Sequence, residues 1–306
     1  MKHAVTVLVL STGVPAATVA ELKERFTVIG PGSSNEIDAL VSAHGARIRG
    51  IATTGKAALD RDLLGRLPAL ELVACYSAGL DKIDVDALAE RGIALTHSSA
   101  ALADEVADLA IALMIMARRR LVAADAHVRS GNWAKAPFPL GHSLSGRRIG
   151  LLGLGHIGSA IARRAEAMGM HPRYCTRRPV DGCSYRHYPD ARALAADSDV
   201  FVIACPGGCA NRGLVGRDVV AALRPDATLI NIARGEIIDE PALVEALESG
   251  ELGSAGLDVF ADEPNVPAVL CDLDNVVLAP HIGSATIETR QAMSESVVRS
   301  LERLLA

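Results

Sequence analysis

The sequence predicts an α/β protein made of two doubly wound, parallel-sheet domains. Short β-rich runs alternate with helical patterns along nearly all of its 306 residues, the signature of parallel sheets. The alternation runs through two complete series, the second starting at Arg148. Half of the residues are apolar, enough in a chain of this length for two cores.

In the first series the expected strands are Ala4–Leu10, Phe26–Ile29, Arg47–Ala52, Leu70–Cys75 and Ile93–Thr96. Helical segments Ala16–Arg25, Asn35–His44 and Val85–Arg91 lie between them. Five strands in this alternation is the count of a flavodoxin-like unit. Ala101–Arg120 then reads as a buried helix, apolar nearly all round, while Asp104, Glu105 and Asp108 argue against a membrane span. Arg118, Arg119 and Arg120 close it as a solvated or phosphate-facing helix end. Ser130–Ser145 holds the only tryptophan, Trp133, with two prolines and two glycines, and reads as an extended arm.

The strands of the second series are Ile149–Leu152, Pro172–Thr176, Val200–Ala204, Ala227–Ile232, Ser254–Val259 and Val276–Ala279. Ile157–Met168, Ala191–Ala196, Val219–Leu223 and Pro241–Glu248 are the helices connecting them. Six strands is the full set of a doubly wound dinucleotide domain. The last helix, Ile287–Leu305, has no strand of its own to join and is expected to pack back on the first domain.

A net charge of −5 gives no long-range pull toward nucleic acid or an anionic membrane. The six cysteines, Cys75, Cys175, Cys183, Cys205, Cys209 and Cys271, form no Cys-x-x-Cys pair and no zinc pattern. Most lie in or beside apolar runs, which suits a reducing cytoplasm better than a disulfide-stapled secreted fold. The N-terminal apolar run is too short to span a bilayer and lacks a cleavage pattern. A cytoplasmic protein without a metal site is the expectation.

Gly153-Leu-Gly155-His156-Ile157-Gly158 is a G-x-G-x-x-G run. An apolar strand leads into it and an amphipathic helix leaves it, which is the context of a dinucleotide-binding turn. Its glycines permit a tight turn and close backbone approach to a pyrophosphate, which sits on free amides at the positive helix end. His156 occupies a variable position of the motif and has no catalytic role. About twenty residues further on, NAD sites carry an acidic residue for the ribose 2′-hydroxyl. Here the strand ends Tyr174-Cys175-Thr176-Arg177-Arg178, without a carboxylate. Two guanidiniums and a hydroxyl suit a 2′-phosphate, so NADP(H) is the expected cofactor and NAD the alternative. The bland reading of the same run is a basic solvent-exposed loop.

Three further residues each follow a strand, where open α/β sheets put their ligands. Arg234 follows Ala227–Ala233, Glu263 follows Ser254–Phe260, and His281 follows Asn275–Pro280. A guanidinium can bind a carboxylate and polarise an adjacent ketone, and an imidazolium can protonate the incipient alkoxide. A carboxylate hydrogen-bonded to an imidazole orients the ring and favours its protonated form. Each residue alone is more often structural; on successive strands of one dinucleotide domain they suit reduction of a 2-oxo acid.

At this point the sequence closely resembles the D-isomer-specific 2-hydroxyacid dehydrogenases. The resemblance is carried by Ser77-Ala78-Gly79-Leu80-Asp81, Val106-Ala107-Asp108, Leu151–Gly158, Asn231-Ile232-Ala233-Arg234-Gly235, Gly256-Leu257-Asp258-Val259-Phe260, Glu263-Pro264 and Pro280-His281-Ile282-Gly283. These motifs cover almost the whole chain in family order and spacing. The resemblance implies a Rossmann cofactor domain, residues 99–283, inserted into a flavodoxin-like substrate domain, 1–98, completed by 284–306, with the active site in the cleft. It implies Arg234, Glu263 and His281 as the catalytic trio, with Arg234 and His281 also contacting substrate. It places Ser77, Ala78 and Gly79 at the substrate, the backbone amides of Ala78 and Gly79 helping to hold its carboxylate. Alongside the glycine turn and Thr176, Arg177 and Arg178, the implied cofactor contacts are Cys205, Pro206, Ile232, Ala233, Asp258 and Gly283.

Relatives dimerise through the cofactor domain, so a homodimer using Ala101–Ser145 is implied. Trp133 is a candidate to reach the partner's substrate pocket, with a core or interface role equally open. The missing acid at Cys175, the Thr176-Arg177-Arg178 run and Phe138-Pro139-Leu140 look like the NADPH-preferring glyoxylate/hydroxypyruvate reductases. Hydroxyphenylpyruvate reductases are the runner-up, and Thr53-Thr54-Gly55, Leu80 and Trp133 would decide between them by pocket size. Phosphoglycerate dehydrogenases usually keep the acidic residue, and formate dehydrogenases pair their histidine with Gln rather than Glu. A dinucleotide-sensing binding protein on the same fold is the reading from another class, disfavoured by the complete Arg/Glu/His set.

Overall fold

The computed structural model describes residues 5–305, so Ala4, the first residue of the first expected strand, lies outside it. The chain separates into two compact units, Met1–Leu102 with Ala285–Ala306, and Ala103–Ser284.

The first unit comprises β1 (Thr6–Val9), α1 (Ala16–Lys23), β2 (Thr27–Ile29), α2 (Ser34–His44), β3 (Ile48–Thr53), α3 (Arg61–Gly65), β4 (Leu72–Cys75), α4 (Val85–Glu90) and β5 (Ala94–His97). Its five strands are all parallel in the order β2-β1-β3-β4-β5, the flavodoxin-like order. β1, β3 and β4 are buried at every position but the half-buried Arg49, without the alternation of a one-sided sheet, because both sheet faces are covered. Leu8, Ile48, Ile51, Leu59, Leu64, Leu67 and Val73 pack on one face. Asp60 and Asp84 start α3 and α4 by accepting from the N–H groups of Leu63 and Ala87. After the second unit the chain returns as α12 (Ile287–Leu305), packed on β3, β4 and β5. Its buried stripe is Met293, Val297, Val298 and Leu301. A Cβ on Gly50 of β3 would lie 2.6 Å from Leu305 Cδ1, so only glycine lets the helix approach this closely.

Between these parts run α5 (Ser99–Arg119), α6 (Leu121–Arg129), β6 (Arg148–Leu152), α7 (His156–Ala167), β7 (His171–Cys175), β8 (Arg186–Tyr188), α8 (Ala191–Ala196), β9 (Val200–Ile203), α9 (Arg217–Val220), β10 (Thr228–Asn231), α10 (Glu240–Ser249), β11 (Ser254–Leu257), α11 (Ala268–Asp272) and β12 (Val276–Leu278). All seven strands of the second unit are parallel, in the order β12-β11-β10-β9-β6-β7-β8. Chain direction through the sheet reverses at β6, which pairs with β7 on one side and β9 on the other. That crevice is the topological switch point of a Rossmann sheet.

Four sequence expectations need correction. The second sheet has seven strands rather than six, because Arg186–Tyr188 adds to the β7 edge. The polar arm begins with a helix, α6, after Arg120 adopts a left-handed φ of 51° and breaks α5. α5 is buried along one stripe, Leu102, Val106, Ala110, Leu113, Met114 and Ala117, and not all round. Finally, Arg118 is no solvated helix end: it is 2% exposed. Its guanidinium donates to the carbonyls of Ser143 (3.2 Å), Asp199 (3.1 Å) and Asp226 (3.3 Å), fastening the end of the arm to the edge of the sheet. No described helix is long and apolar enough to cross a membrane.

Candidate active site

β6 runs into Gly153, whose φ of 104° excludes ordinary side chains. A Cβ there would lie 2.7 Å from the Cys205 amide nitrogen, and one on Gly158 would lie 2.2 Å from the Gly153 carbonyl. The turn is therefore a bare backbone cradle between the ends of β6 and β9. α7 starts from it, with Gly155 as N-cap and the exposed His156 in its first turn. Its opening amides offer partial positive charge to an anion. The geometry fits a dinucleotide pyrophosphate. Cys205 and Pro206 follow β9 beside this cradle, and burial pushes the Cys205 thiol up to about 11, leaving it an unreactive wall.

β7 ends at Cys175, whose carbonyl accepts the Gly153 N–H (2.9 Å). Arg177 and Arg178 follow and are exposed. Among the described residues neither meets a carboxylate within ion-pair distance. Thr176 departs from the sequence expectation: its hydroxyl donates its one proton to the Arg178 carbonyl (2.6 Å). In this geometry it shapes the turn rather than offering a proton to a phosphate. His187 Nε2 (3.0 Å from the Thr176 carbonyl) and the Tyr174 hydroxyl, which accepts the Val180 N–H (3.0 Å), brace the same turn.

Arg234, Glu263 and His281 follow β10, β11 and β12, three adjacent strands, and so share one edge of the sheet. His281 Nδ1 lies 2.8 Å from Glu263 Oε2, both side chains being partly exposed. With Nδ1 engaged, Nε2 is the ring nitrogen left for a ligand. Each of the three loops is held by a polar side chain that sequence reading did not assign to it. Asn231, fully buried, donates from Nδ2 to the Arg234 carbonyl (2.9 Å) and accepts the Ala233 N–H at Oδ1 (3.0 Å). Asp258, also buried, accepts the N–H groups of Ile282 (2.7 Å) and Gly283 (2.9 Å), which fixes the turn after His281. Burial holds its carboxyl above the usual range against the pull of those two bonds. Glu240, at the start of α10, accepts the Ala261 N–H (3.0 Å) in the turn carrying Glu263. His281 itself has a left-handed φ of 55°, and its N–H donates to the Asp258 carbonyl (2.9 Å). Gly235 needs its missing side chain, since a Cβ would fall 1.9 Å from the Phe260 carbonyl carbon. Ile232 and Ala233 are buried beneath the Arg234 turn, and Gly283 against Asp258 and Val106.

Ser77, Ala78 and Gly79 belong to the other unit, in the loop after β4. Ser77 Oγ accepts the Gly55 N–H (2.8 Å) and donates to the Gly79 carbonyl (3.0 Å). Among the described residues the N–H groups of Ala78 and Gly79 donate to no acceptor.

The D-isomer specific 2-hydroxyacid dehydrogenase NAD-binding domain model matches residues 111–283. A glyoxylate/hydroxypyruvate reductase of Arabidopsis thaliana is 44% identical over 282 residues, 92% of this chain and 90% of that protein. A hydroxyphenylpyruvate reductase of Plectranthus scutellarioides is 42% identical over the same length, again 92% and 90%. The crystal structure of an NADPH-dependent glyoxylate/hydroxypyruvate reductase from Sinorhizobium meliloti, in complex with NADP and malonate, matches with a TM-score of 0.87 and 40% identity. That match covers 99% of this chain and 94% of that one.

Proposed function

The chain belongs to the D-isomer specific 2-hydroxyacid dehydrogenases, and we propose that it is an NADPH-dependent reductase of small 2-oxo acids of the glyoxylate and hydroxypyruvate type. The observation that carries this reading is the His281–Glu263 pair, 2.8 Å apart, on the same sheet edge as Arg234. When bound, the nicotinamide supplies the hydride. His281 gives a proton from Nε2 to the substrate's carbonyl oxygen, so that no free alkoxide develops. Glu263 keeps the imidazole oriented and balances its charge. Arg234 binds the carboxylate and polarises the neighbouring carbonyl, and the amides of Ala78 and Gly79, in the first unit, are assigned by the family resemblance as carboxylate donors. The product is the D-2-hydroxy acid.

Gly153, Gly155, Ile157 and Gly158 hold the pyrophosphate, with Pro206, Ile232, Ala233 and Gly283 lining the cofactor's path. Arg177 and Arg178 receive the 2′-phosphate, for which the uncharged Cys175 leaves room where a carboxylate would repel it. The NADP-bound relative supports this preference. Trp133 (68% exposed) and Leu140 (96% exposed), together with Val122 and Val128, leave the arm and α6 with more apolar surface than a monomer needs, so we assign this face to a homodimer. All six cysteines are free, in keeping with a cytoplasmic protein.

Hydroxyphenylpyruvate reduction is the second reading, favoured by the relative that is 42% identical. Initial rates with glyoxylate, hydroxypyruvate, pyruvate and hydroxyphenylpyruvate, each with NADPH and NADH, decide among these. Fast NADPH turnover with the first two is the expected result. Preference for the aromatic acid would move the assignment to the second reading, and turnover with NADH alone would remove the role of Arg177 and Arg178.

A further inference from the structure

We propose that Ser77 is a positioning residue whose hydroxyl holds the Ala78 and Gly79 amides in the orientation that receives the substrate carboxylate. This rests on the reading of those amides given above, and it changes the role of Ser77 from a substrate contact to a brace.

β3 and β4 are neighbours in register, Thr53 beside Cys75, so the loops that follow them leave the sheet side by side. The two loops touch at glycine: a Cβ on Gly55 would lie 1.8 Å from the Gly79 carbonyl oxygen. Ser77 ties them together, accepting the Gly55 N–H (2.8 Å) and donating to the Gly79 carbonyl (3.0 Å). A hydroxyl has one proton, and here it is committed to that carbonyl. The Cys75 sulfur, 3.4 Å from the same hydroxyl, belongs to a thiol that burial pushes up and keeps neutral. No further donor is left on the Ser77 side chain for an anion.

The consequence for the amides follows from peptide planarity. The Ser77 carbonyl accepts the Ser98 N–H (3.3 Å), so the Ala78 N–H, trans to it on the same plane, points the opposite way. The Gly79 carbonyl is held by the Ser77 hydroxyl, which stops the following peptide from turning its oxygen toward the anion. The peptide between Ala78 and Gly79 is thereby fixed on both sides. Glycine at position 79 would otherwise give this segment more freedom than any other residue. Preorganised amides bind a carboxylate without a reorganisation cost, so loosening them should weaken acid binding and leave the hydride step nearly untouched.

The test is steady-state kinetics of Ser77→Ala, Ser77→Thr, Gly55→Ala and the Ser77→Ala/Gly55→Ala double variant. Ser77→Ala should raise KM for glyoxylate and Ki for oxalate about tenfold, the loss expected for a hydrogen bond or two. Its kcat at saturating acid and its KM for NADPH should stay within about twofold, because uniform binding alone is removed. Ser77→Thr, which keeps the hydroxyl, should restore KM. Gly55→Ala displaces the Gly79 carbonyl and crowds the Ser77 hydroxyl, 3.1 Å from the added Cβ, breaking the same brace from its other side, so in that background Ser77→Ala should cost little more. Full additivity in the cycle would show a direct substrate contact and overturn the proposal, as would an unchanged KM in Ser77→Ala. If Ser77→Ala does not fold, Ser77→Cys, which keeps the volume with a weaker donor, is read by the same criteria. Absence of turnover in the wild type would instead overturn the reductase reading on which the proposal rests.

Discussion

At the N-terminal ends of β6 and β9, Arg148 binds both Asp197 (2.6 Å) and Asp199 (3.1 Å), Arg173 binds Asp197 (2.7 Å), and Arg224 completes the set on Asp199. At the opposite end of the same sheet, His281 and Glu263 pair only with partial burial, and among the described residues Arg177 and Arg178 meet no carboxylate. One edge saturates its charges with one another; the other exposes two guanidiniums, Arg177 and Arg178, that on the proposed reading meet a ligand. The first arrangement is read as stability and the second as binding, and residues of the same chemical type serve both. Number of charged groups therefore says little about where a site is; saturation of their partners says more.

The largest effect that separates the edges is expected at His281. His281→Ala should lower kcat with glyoxylate about a thousandfold, the range of a lost general acid, while thermal unfolding stays within a degree or two. Asp199→Asn should do the reverse. Removing one partner of a buried ion network costs about 3–5 kcal/mol in urea unfolding, with kcat/KM of the folded enzyme unchanged.

The same residue gives a pH signature. Burial alone would raise the Asp199 carboxyl, but its bonds from the Arg148 side chain and N–H and from Arg224 outweigh this and bring it down to about 2 from 3.8. A depressed carboxyl stabilises the fold above its unfolded pKa, and that stability is lost as pH falls from about 4 toward 2. Wild-type and Asp199→Asn unfolding free energies should accordingly converge across that window. A constant difference would mean that the ion network is not what the substitution removes. The smallest effects belong to the open edge's arginines. Arg177→Ala and Arg178→Ala should each raise KM for NADPH about tenfold, as one charged hydrogen bond is lost, and leave KM for NADH alone.

The open edge was largely legible in the sequence because its parts are local. Gly153-x-Gly155-x-x-Gly158 sits between a strand and a helix, and Arg234, Glu263 and His281 each directly follow an apolar run. The saturated edge was not legible, since Arg148, the Asp197/Asp199 pair and Arg224 come from three separate segments and nothing in their flanks announces that they meet. Arg118 shows the same limit: three arginines at a helix end look solvated, and only the tertiary fold supplies carbonyls to bury one of them. β8 escaped because it is three residues, Arg186-His187-Tyr188, at a sheet edge, too short and polar for a period to show. α6 escaped because the break before it is an arginine in a left-handed conformation, where glycine or asparagine would have signalled a helix end. Asn231 and Asp258 were present in the motifs and Glu240 lay outside them, and the roles of all three as braces depend on distances between loops that sequence does not carry.

The most direct test of the open edge as a reductase site is to follow the hydride itself. Hydroxypyruvate would be reduced with NADPH deuterated on the transferring face at C4, and the product analysed by mass spectrometry and chiral chromatography. The account predicts D-glycerate carrying one deuterium at C2, formed by the wild type and reduced about a thousandfold in rate by His281→Ala. Unlabelled product, the L-enantiomer, or equal rates in the two proteins would contradict it.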